Sequence, residues 1–299
     1  MTKARFSILL SFFLLFLHSP TWARNPVPVV TNECHDMEDP LPWGYCITST
    51  EGSQNPDFIY YLHGRGRSKT AWMDYPKHKA IRQAWADLGK DAPTIITISF
   101  GPVWFLAEKN PSLKSGLLEL YADQIIPEIE MKLGGLKGER MIVAESMGSF
   151  SGAELVLKRG SLFSRAALAC PAIGDLTPSP TFAQRLKYAL RANPLGLVGE
   201  IVLPVSYVIT KLQKETFPDE KSWEAASPLL LAKTELNSNS PALYISSGDL
   251  DLYGFYPGDK EFARIAKERD VREVIWDPVV GGHCSLNPVK IAKFLTEDR

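Results

Sequence analysis

Short apolar runs alternate along the chain with longer amphipathic segments. The short runs are rich in β-branched and aromatic residues and are apolar at nearly every position, which is typical of strands buried on both faces. This pattern predicts strands at Gly44–Ser49, Asp57–Leu62, Thr94–Phe100, Arg140–Glu145, Arg165–Cys170, Ala242–Ser247 and Glu273–Trp276.

The longer segments have the spacing of helices that cover a core. Apolar residues recur there at three- and four-residue intervals, which places them in a stripe on one helical face. The predicted helices are Trp72–Leu88, Leu113–Leu133, Met147–Arg159, Asp259–Glu268 and Pro288–Leu295. Because strands and helices alternate, the predicted fold class is α/β, with a mostly parallel central sheet covered by helices on both faces.

One stretch, at about 174–240, breaks this alternation. It contains six prolines and short helical pieces such as Phe182–Arg191, and it separates the strand ending at Cys170 from the strand beginning at Ala242. We predict a cap inserted over the carboxyl edge of the sheet, where open α/β folds keep their sites. Its apolar residues either contact a hydrophobic ligand group or pack the cap itself; they are Leu195, Leu197, Val198 and Ile201.

The amino terminus has the pattern of a secretory signal over residues 1–23. Lys3 and Arg5 precede the apolar run Phe6–Leu17, and small residues follow at Thr21 and Ala23. The run is short for a membrane-spanning helix, so a cleaved signal is favoured over an uncleaved anchor. The expected mature chain, residues 24–299, is then one domain of a secreted or periplasmic protein.

Composition restricts the classes of partner. The chain has 299 residues, of which 45% are hydrophobic and 22% are charged, as is usual for a globular protein. The formal net charge is −1, so there is no basic surplus for binding nucleic acid. The oligomeric state does not follow from the sequence.

The four cysteines are an even number, and in an oxidising compartment disulfides are plausible. Cys34 and Cys46 are the natural local pair, whereas Cys170 and Cys284 either pair or are both buried thiols. No CxxC, HExxH or Cys/His spacing indicates a metal site. No metal or cofactor is implied.

The first candidate for chemistry is Ser146, which directly follows the predicted strand Arg140–Glu145. Ala144 and Gly148 flank it two positions away. This is the small-x-Ser-x-small pattern of a nucleophile elbow, with Ala in place of the first Gly. A serine that merely caps the following helix would fit the same local pattern.

A second motif, His63-Gly64-Arg65, follows the strand Asp57–Leu62. An oxyanion hole needs a backbone N–H from such a loop, and glycine permits close approach. The N–H groups of Arg65 and Met147 are the predicted donors. His63 is predicted to be structural, holding the loop.

Two further strands supply an acid and a base. A serine hydroxyl needs a base near neutral pH, and His283 is the candidate. A carboxylate must orient that imidazole. Asp251 is preferred for this role, with Asp249 as the alternative. The chain order Ser, Asp, His is that of an α/β-hydrolase triad.

These motifs resemble the α/β-hydrolase superfamily, and more narrowly its esterase D-like branch, between about Asp57 and Leu295. The resemblance rests on five segments: Tyr61-Leu62-His63-Gly64, Ala144-Glu145-Ser146-Met147-Gly148, Gly248-Asp249-Leu250-Asp251, Phe255-Tyr256-Pro257-Gly258 and Gly282-His283. The resemblance implies hydrolysis of an ester or thioester through an acyl-enzyme. Two features depart from the family's pattern, namely Ala144 in place of the first Gly and the cap.

The expected protein is therefore a serine hydrolase, specifically a carboxylesterase acting on a small-molecule ester. An acyltransferase or peptidase with the same three residues is one alternative. A non-catalytic binding module of the same fold is another, although none of the three residues is missing.

Overall fold

The computed structural model of the chain describes residues 25–26, 28–107, 113, 115–192 and 197–297, without the side chains of residues 197–199. The predicted signal segment, residues 1–23, lies outside the described residues and stays a prediction. In the part of the chain that is described, no helix combines the length and the apolar character that a membrane crossing requires.

Eight strands in the described residues form a single sheet. Their order across the sheet is β1-β2-β4-β3-β5-β6-β7-β8, and β2 is antiparallel to both of its neighbours. All pairings among β3 to β8 are parallel, which confirms the predicted mostly parallel sheet. The strands are β1 (Val30–Met37), β2 (Trp43–Thr50), β3 (Phe58–Leu62), β4 (Thr94–Ser99), β5 (Arg140–Glu145), β6 (Arg165–Ala169), β7 (Ala242–Gly248) and β8 (Val274–Val279).

Helices connect and cover these strands. Among the described residues they are α1 (Ala71–Asp74), α2 (Pro76–Asp87), α3 (Leu117–Glu119), α4 (Ile126–Lys132), α5 (Met147–Arg159), α6 (Phe182–Ala192), α7 (Leu197–Thr216), α8 (Glu220–Glu224), α9 (Pro228–Glu235), α10 (Tyr256–Glu268) and α11 (Pro288–Thr296).

Proline accounts for two differences from the predicted helices. The predicted helix Trp72–Leu88 is broken at Tyr75, whose φ of −101° and ψ of 131° are extended, because a residue before proline is disfavoured in the helical region. The second predicted helix starts at Leu117 rather than Leu113. It contains a π-helical stretch, Leu120–Ile125, just before Pro127, which has no N–H to donate to the preceding turn.

Each face of the sheet has its own hydrophobic layer. Successive residues of β3 alternate between them: Ile59 and Tyr61 belong to one layer, and Tyr60 and Leu62 to the other. The first layer includes residues of α2 and α11, which also pack on each other. Alternation along the strand thus explains why β3 is apolar at every position.

Strand β1 was not predicted from the apolar pattern. Most of its side chains are exposed or half-buried, because it lies at the edge of the sheet. Cys34 pairs in register with Cys46 of β2, and a disulfide joins them. The predicted pairing is confirmed, and the bridge links the first two strands of the sheet.

The stretch 174–240 lies between β6 and β7 and contains α6 to α9. The predicted helical piece Phe182–Arg191 is observed as α6. In contrast, α7 is longer than the short pieces expected, with 20 residues and Pro204 in its interior. Leu195 lies outside the described residues, as do the side chains of Leu197 and Val198.

Candidate active site

The predicted functional residues follow the carboxyl ends of four parallel strands. Ser146 follows β5, the His63-Gly64-Arg65 loop follows β3, Asp251 lies just after β7, and His283 lies just after β8. Parallel strands end at the same edge of a sheet, so residues distant in sequence meet there.

Ser146 has a strained backbone conformation. Its φ is 53° and its ψ is −119°, between the last residue of β5 and the first residue of α5. Non-glycine residues rarely adopt positive φ, and such strain concentrates at functional sites. The hydroxyl is thereby carried on a sharp turn between strand and helix.

Gly148, two residues after the serine, is required by close packing. A Cβ atom on Gly148 would lie 2.2 Å from the carbonyl oxygen of Leu62 and 2.6 Å from that of His63. No side chain fits there, so glycine lets α5 approach the end of β3. At the other small position, Ala144 is fully buried and its methyl group faces Gly152 of α5.

Ser146, His283 and Asp251 form a continuous hydrogen-bonded chain. The Oγ of Ser146 lies 2.8 Å from Nε2 of His283, and Nδ1 of His283 lies 3.0 Å from Oδ2 of Asp251. Asp251 is 1% exposed, and its Oδ1 accepts a hydrogen bond from the N–H of Tyr253 at 2.8 Å. With Nδ1–H donated to the carboxylate, Nε2 is left to accept the serine proton.

The other two carboxylates in this region have different surroundings. Asp249 accepts from the N–H of Gly281 at 3.0 Å, so it fixes the loop that carries His283 and not the imidazole itself. Burial, and to a smaller extent the charge of Asp251, raises the pKa of Asp259 well above its usual range. The neutral form of Asp259 is therefore favoured beside Asp251.

The loop after β3 is anchored by His63, which is fully buried. Trp104 donates its Nε1–H to Nε2 of His63 at 3.2 Å, so the ring proton is on Nδ1 and is donated to the carbonyl of Gly64 at 2.9 Å. Burial lowers the pKa of His63, which keeps it neutral. His63 thus holds the loop, as predicted.

This loop passes close to the serine. A Cβ on Gly64 would lie 3.4 Å from Cβ of Ser146, and Arg65 and Met147 both line the pocket that contains Ser146. Met147 is the first residue of α5, where backbone N–H groups have no partner within the helix. The predicted oxyanion donors are therefore near the serine, and their role stays a prediction.

Cys170 and Cys284 are joined by a disulfide. Of the two states that the sequence allowed, a pair or two buried thiols, the structure has the pair. Cys284 directly follows His283, and Cys170 directly follows β6. The bond ties the histidine loop to the strand beside β5. The two sulfur atoms and His283 lie close together, but disulfide sulfur is not thiolate and His283 is engaged by Ser146 and Asp251. This group is therefore a poor metal site.

A buried ion cluster supports the residue before the serine. Glu145 is 5% exposed, and its carboxylate lies 2.6 Å from Nζ of Lys77 and 2.8 Å from Nε2 of His78. Burial by itself raises the pKa of Glu145, but the hydrogen bond and charge of His78, together with Lys77, outweigh it and lower the pKa below its usual range. Glu145 is therefore ionised beside Ser146.

A cavity of about 730 Å³ opens over the serine and the histidine. Three aromatic residues form one apolar cluster in its lining: the ring of Phe105 lies 5.4 Å from that of Phe150 and 6.4 Å from that of Phe217. The second half of α7 contributes further apolar side chains to the lining, namely Val208, Ile209 and Leu212.

The lining that the structure describes from α7 begins at Val208. The predicted ligand contacts of Leu195, Leu197 and Val198 stay a prediction, because Leu195 and the side chains of the other two lie outside the described residues. The side chain of Ile201 is 47% exposed. The three- and four-residue spacing of Val208, Ile209 and Leu212 was the available signal for one helical face. The aromatic residues of the cavity carried no comparable signal, because they come from separate parts of the chain.

Several solved structures with a similar fold are esterases. A ferulic acid esterase has a TM-score of 0.60 at 14% sequence identity, with 86% of this chain and 92% of that chain covered. A brefeldin A esterase, a bacterial homologue of human hormone-sensitive lipase, has a TM-score of 0.58 at 18% identity, covering 88% and 71%. An esterase of Pyrobaculum calidifontis has a TM-score of 0.54 at 20% identity, covering 92% and 82%.

No family model matches the sequence, and no curated protein matches it. At sequence identities of 14%, 18% and 20%, structural similarity establishes the fold alone. The chain has the α/β-hydrolase fold, with helices on both faces of a mostly parallel sheet.

Proposed function

We propose that the chain is a serine carboxylesterase that hydrolyses a small-molecule ester through an acyl-enzyme. Ser146 is the nucleophile, His283 the base, and Asp251 the carboxylate that orients the imidazole. The observation that carries the proposal is the hydrogen-bonded chain from Ser146 through His283 to Asp251. The esterases among the structural neighbours support the same reaction class.

In the first half of the reaction, Oγ of Ser146 forms a bond to the acyl carbon while its proton moves to Nε2 of His283. The backbone N–H groups of Arg65 and Met147 stabilise the oxyanion. The ester C–O bond then breaks, and His283 returns the proton to the leaving alcohol.

In the second half, water attacks the acyl-enzyme and gives its proton to His283. The carboxylic acid leaves, and Ser146 recovers its proton. Asp251 stabilises the imidazolium in both halves, since it is buried and already hydrogen-bonded to Nδ1.

The proposed site of action is outside the cytoplasm. Disulfides form and persist in oxidising compartments, and the described residues contain two, Cys34–Cys46 and Cys170–Cys284. Residues 1–23 have the sequence pattern of a cleavable secretory signal. Amino-terminal sequencing of the exported protein tests this part, because a mature chain that keeps Met1 contradicts it.

The test of the activity is turnover of 4-nitrophenyl esters of increasing acyl length. The purified chain should hydrolyse them, and Ser146→Ala should lower kcat by about 10⁴-fold or more with the fold intact. Equal rates for the two proteins would refute Ser146 as the nucleophile. Added alcohols and peptides separate the alternatives, because an acyltransferase forms a new ester and a peptidase cleaves an amide.

A cap over the site is part of the proposal. The residues of α7 that line the cavity belong to the stretch 174–240, so this insertion contributes to the surface that a substrate would contact. With the aromatic cluster, it favours an ester with an apolar portion.

A further inference from the structure

The cavity over Ser146 is lined by apolar side chains from one part of the chain and by cationic side chains from another. The cationic residues are Arg65 and Arg67 of the loop after β3 and Lys77 of the first turn of α2. Tyr75 lines the cavity between them in sequence. We call these four residues the basic corner.

The ring of Tyr75 organises the corner. The guanidinium carbon of Arg67 lies 4.3 Å from the ring centroid, and Nζ of Lys77 lies 5.1 Å from the same centroid. Cations are attracted to the face of an aromatic ring at these distances. The two positive charges are thus held near each other although Arg67 is exposed.

Lys77 ties the corner to the catalytic centre. Its Nζ is 2.6 Å from the carboxylate of Glu145, the residue directly before Ser146. Because that carboxylate is buried and ionised, the charge of Lys77 is already neutralised. Lys77 therefore fixes where the corner lies, and other groups must provide its net charge.

The two arginines provide it. In the described ranges, no carboxylate lies within ion-pair distance of Arg65 or Arg67, whereas most other arginines there have such a partner. The acidic side chains described in the lining are Glu145, which Lys77 and His78 engage, and the exposed Glu215. An excess of positive charge is left beside the nucleophile.

Guanidinium groups recognise carboxylates through paired, charge-assisted hydrogen bonds. A substrate whose ester carbon reaches Ser146 contacts the lining of this cavity. The apolar lining suits a hydrocarbon portion, and the basic corner suits an anionic end.

We propose that Arg65 and Arg67 bind a carboxylate of the substrate, so that the preferred substrate is an ester that carries a second, ionised carboxyl group. This inference rests on the proposed esterase function. It adds a substrate class that the reaction itself does not require.

The experiment compares matched pairs of esters. The first pair is 4-nitrophenyl hydrogen adipate and 4-nitrophenyl hexanoate, which share the leaving group and a six-carbon acyl chain and differ in the terminal carboxylate. The second pair places the carboxylate on the alcohol: the hexanoate esters of 3-hydroxybenzoate and of phenol. The expected result is a preference of about tenfold in kcat/KM for the anionic member of one pair, as for charge-assisted contacts from exposed guanidinium groups.

The preference should depend on charge. Arg67→Gln should reduce the anionic-to-neutral ratio of kcat/KM toward one, whatever its absolute rates. Arg264→Gln is the matched control, because it removes an equal charge from an exposed arginine of α10 that pairs with Glu261 and Glu268; its ratio should equal that of the unmodified chain. In the unmodified chain, raising salt from about 10 mM to about 1 M should also lower the ratio, because salt screens exposed charges.

The outcomes separate this inference from the proposed function. If the neutral ester of each pair is hydrolysed at least as well as the anionic ester, the basic corner has no such role and the esterase assignment stands. A preference that survives in a folded Arg67→Gln protein, as judged by circular dichroism, overturns the inference too. If no ester is cleaved at all, the proposed function fails and this inference falls with it.

Discussion

Removing the Cys170–Cys284 disulfide should damage both stability and catalysis, whereas removing Cys34–Cys46 should damage mainly stability. Both bridges are replaced by alanine pairs, so the chemical change is the same. They differ in location, because Cys34–Cys46 joins β1 to β2 at the edge of the sheet and Cys170–Cys284 adjoins His283.

The size of the stability effect follows from the lengths of the closed loops. The paired cysteines are 114 positions apart in Cys170–Cys284 and 12 apart in Cys34–Cys46. A bridge restricts the unfolded chain more when its loop is longer, by about 5 kcal/mol for the first bridge and about 3 kcal/mol for the second. Cys170→Ala/Cys284→Ala should therefore lower the free energy of unfolding by about 2 kcal/mol more than Cys34→Ala/Cys46→Ala.

The effect on catalysis follows from the neighbours of His283. Without its bridge, the loop that carries this histidine loses its covalent link to the end of β6. Small displacements of a catalytic group are costly, so kcat should fall by about 10- to 100-fold with little change in KM. The edge-strand variant should keep the kcat of the unmodified chain.

Urea unfolding followed by circular dichroism measures the stabilities, and 4-nitrophenyl ester hydrolysis at a temperature where all three proteins are folded measures kcat. The reasoning is refuted if the edge-strand variant loses as much stability as the other, or if both variants keep full kcat.

Three further predictions concern single residues. Gly148→Ala should destabilise the fold by about 3 kcal/mol and abolish ester hydrolysis, because the added methyl group would lie 2.2 Å from the carbonyl oxygen of Leu62; a normal melting temperature would contradict this. Asp251→Asn should lower kcat by about 10⁴-fold and Asp249→Asn by far less, since only Asp251 contacts the imidazole; steady-state kinetics showing the reverse order would exchange their roles. Burial, opposed by Lys158, raises the pKa of Glu154 from 4.5 to about 7. As pH rises between these two values, the unfolded chain loses this proton before the folded chain does, so the free energy of unfolding falls by about 3 kcal/mol. Urea titrations at pH 5 and pH 8 should show that Glu154→Gln removes this loss, and an unchanged pH dependence would count against it.

The sequence predicted the parallel part of the sheet because most of its strands are buried on both faces. In β3 and β5, for example, nearly every residue is buried, and continuous apolar runs of this length are typical of strands inside a parallel sheet. Strand β1 has no such run. It is an edge strand with mostly exposed side chains. Its pairing with β2 forms only in the folded chain, so the local sequence pattern does not show it.

For the site, the sequence indicated the turn at Ser146 because local backbone requirements act there, and the catalytic roles stay predictions. Gly148 reflects a close approach of two backbone segments, because a Cβ there would lie 2.2 Å from the carbonyl oxygen of Leu62, and a single sequence records such a requirement directly. The cavity wall could not be predicted in the same way. Phe105, Phe150 and Phe217 come together only after folding, and each one alone is indistinguishable from an ordinary core residue.

The most direct test of the central claim is covalent labelling with a fluorophosphonate, followed by peptide mass spectrometry. The account predicts one phosphonyl group per chain, on Ser146, and a large loss of labelling rate in His283→Ala. Ser149 and Ser151 are the nearby controls, because both are buried and hydrogen-bonded to backbone groups. A label on either of them instead, or an unmodified Ser146 in folded protein, would contradict the claim that this hydroxyl is the activated nucleophile.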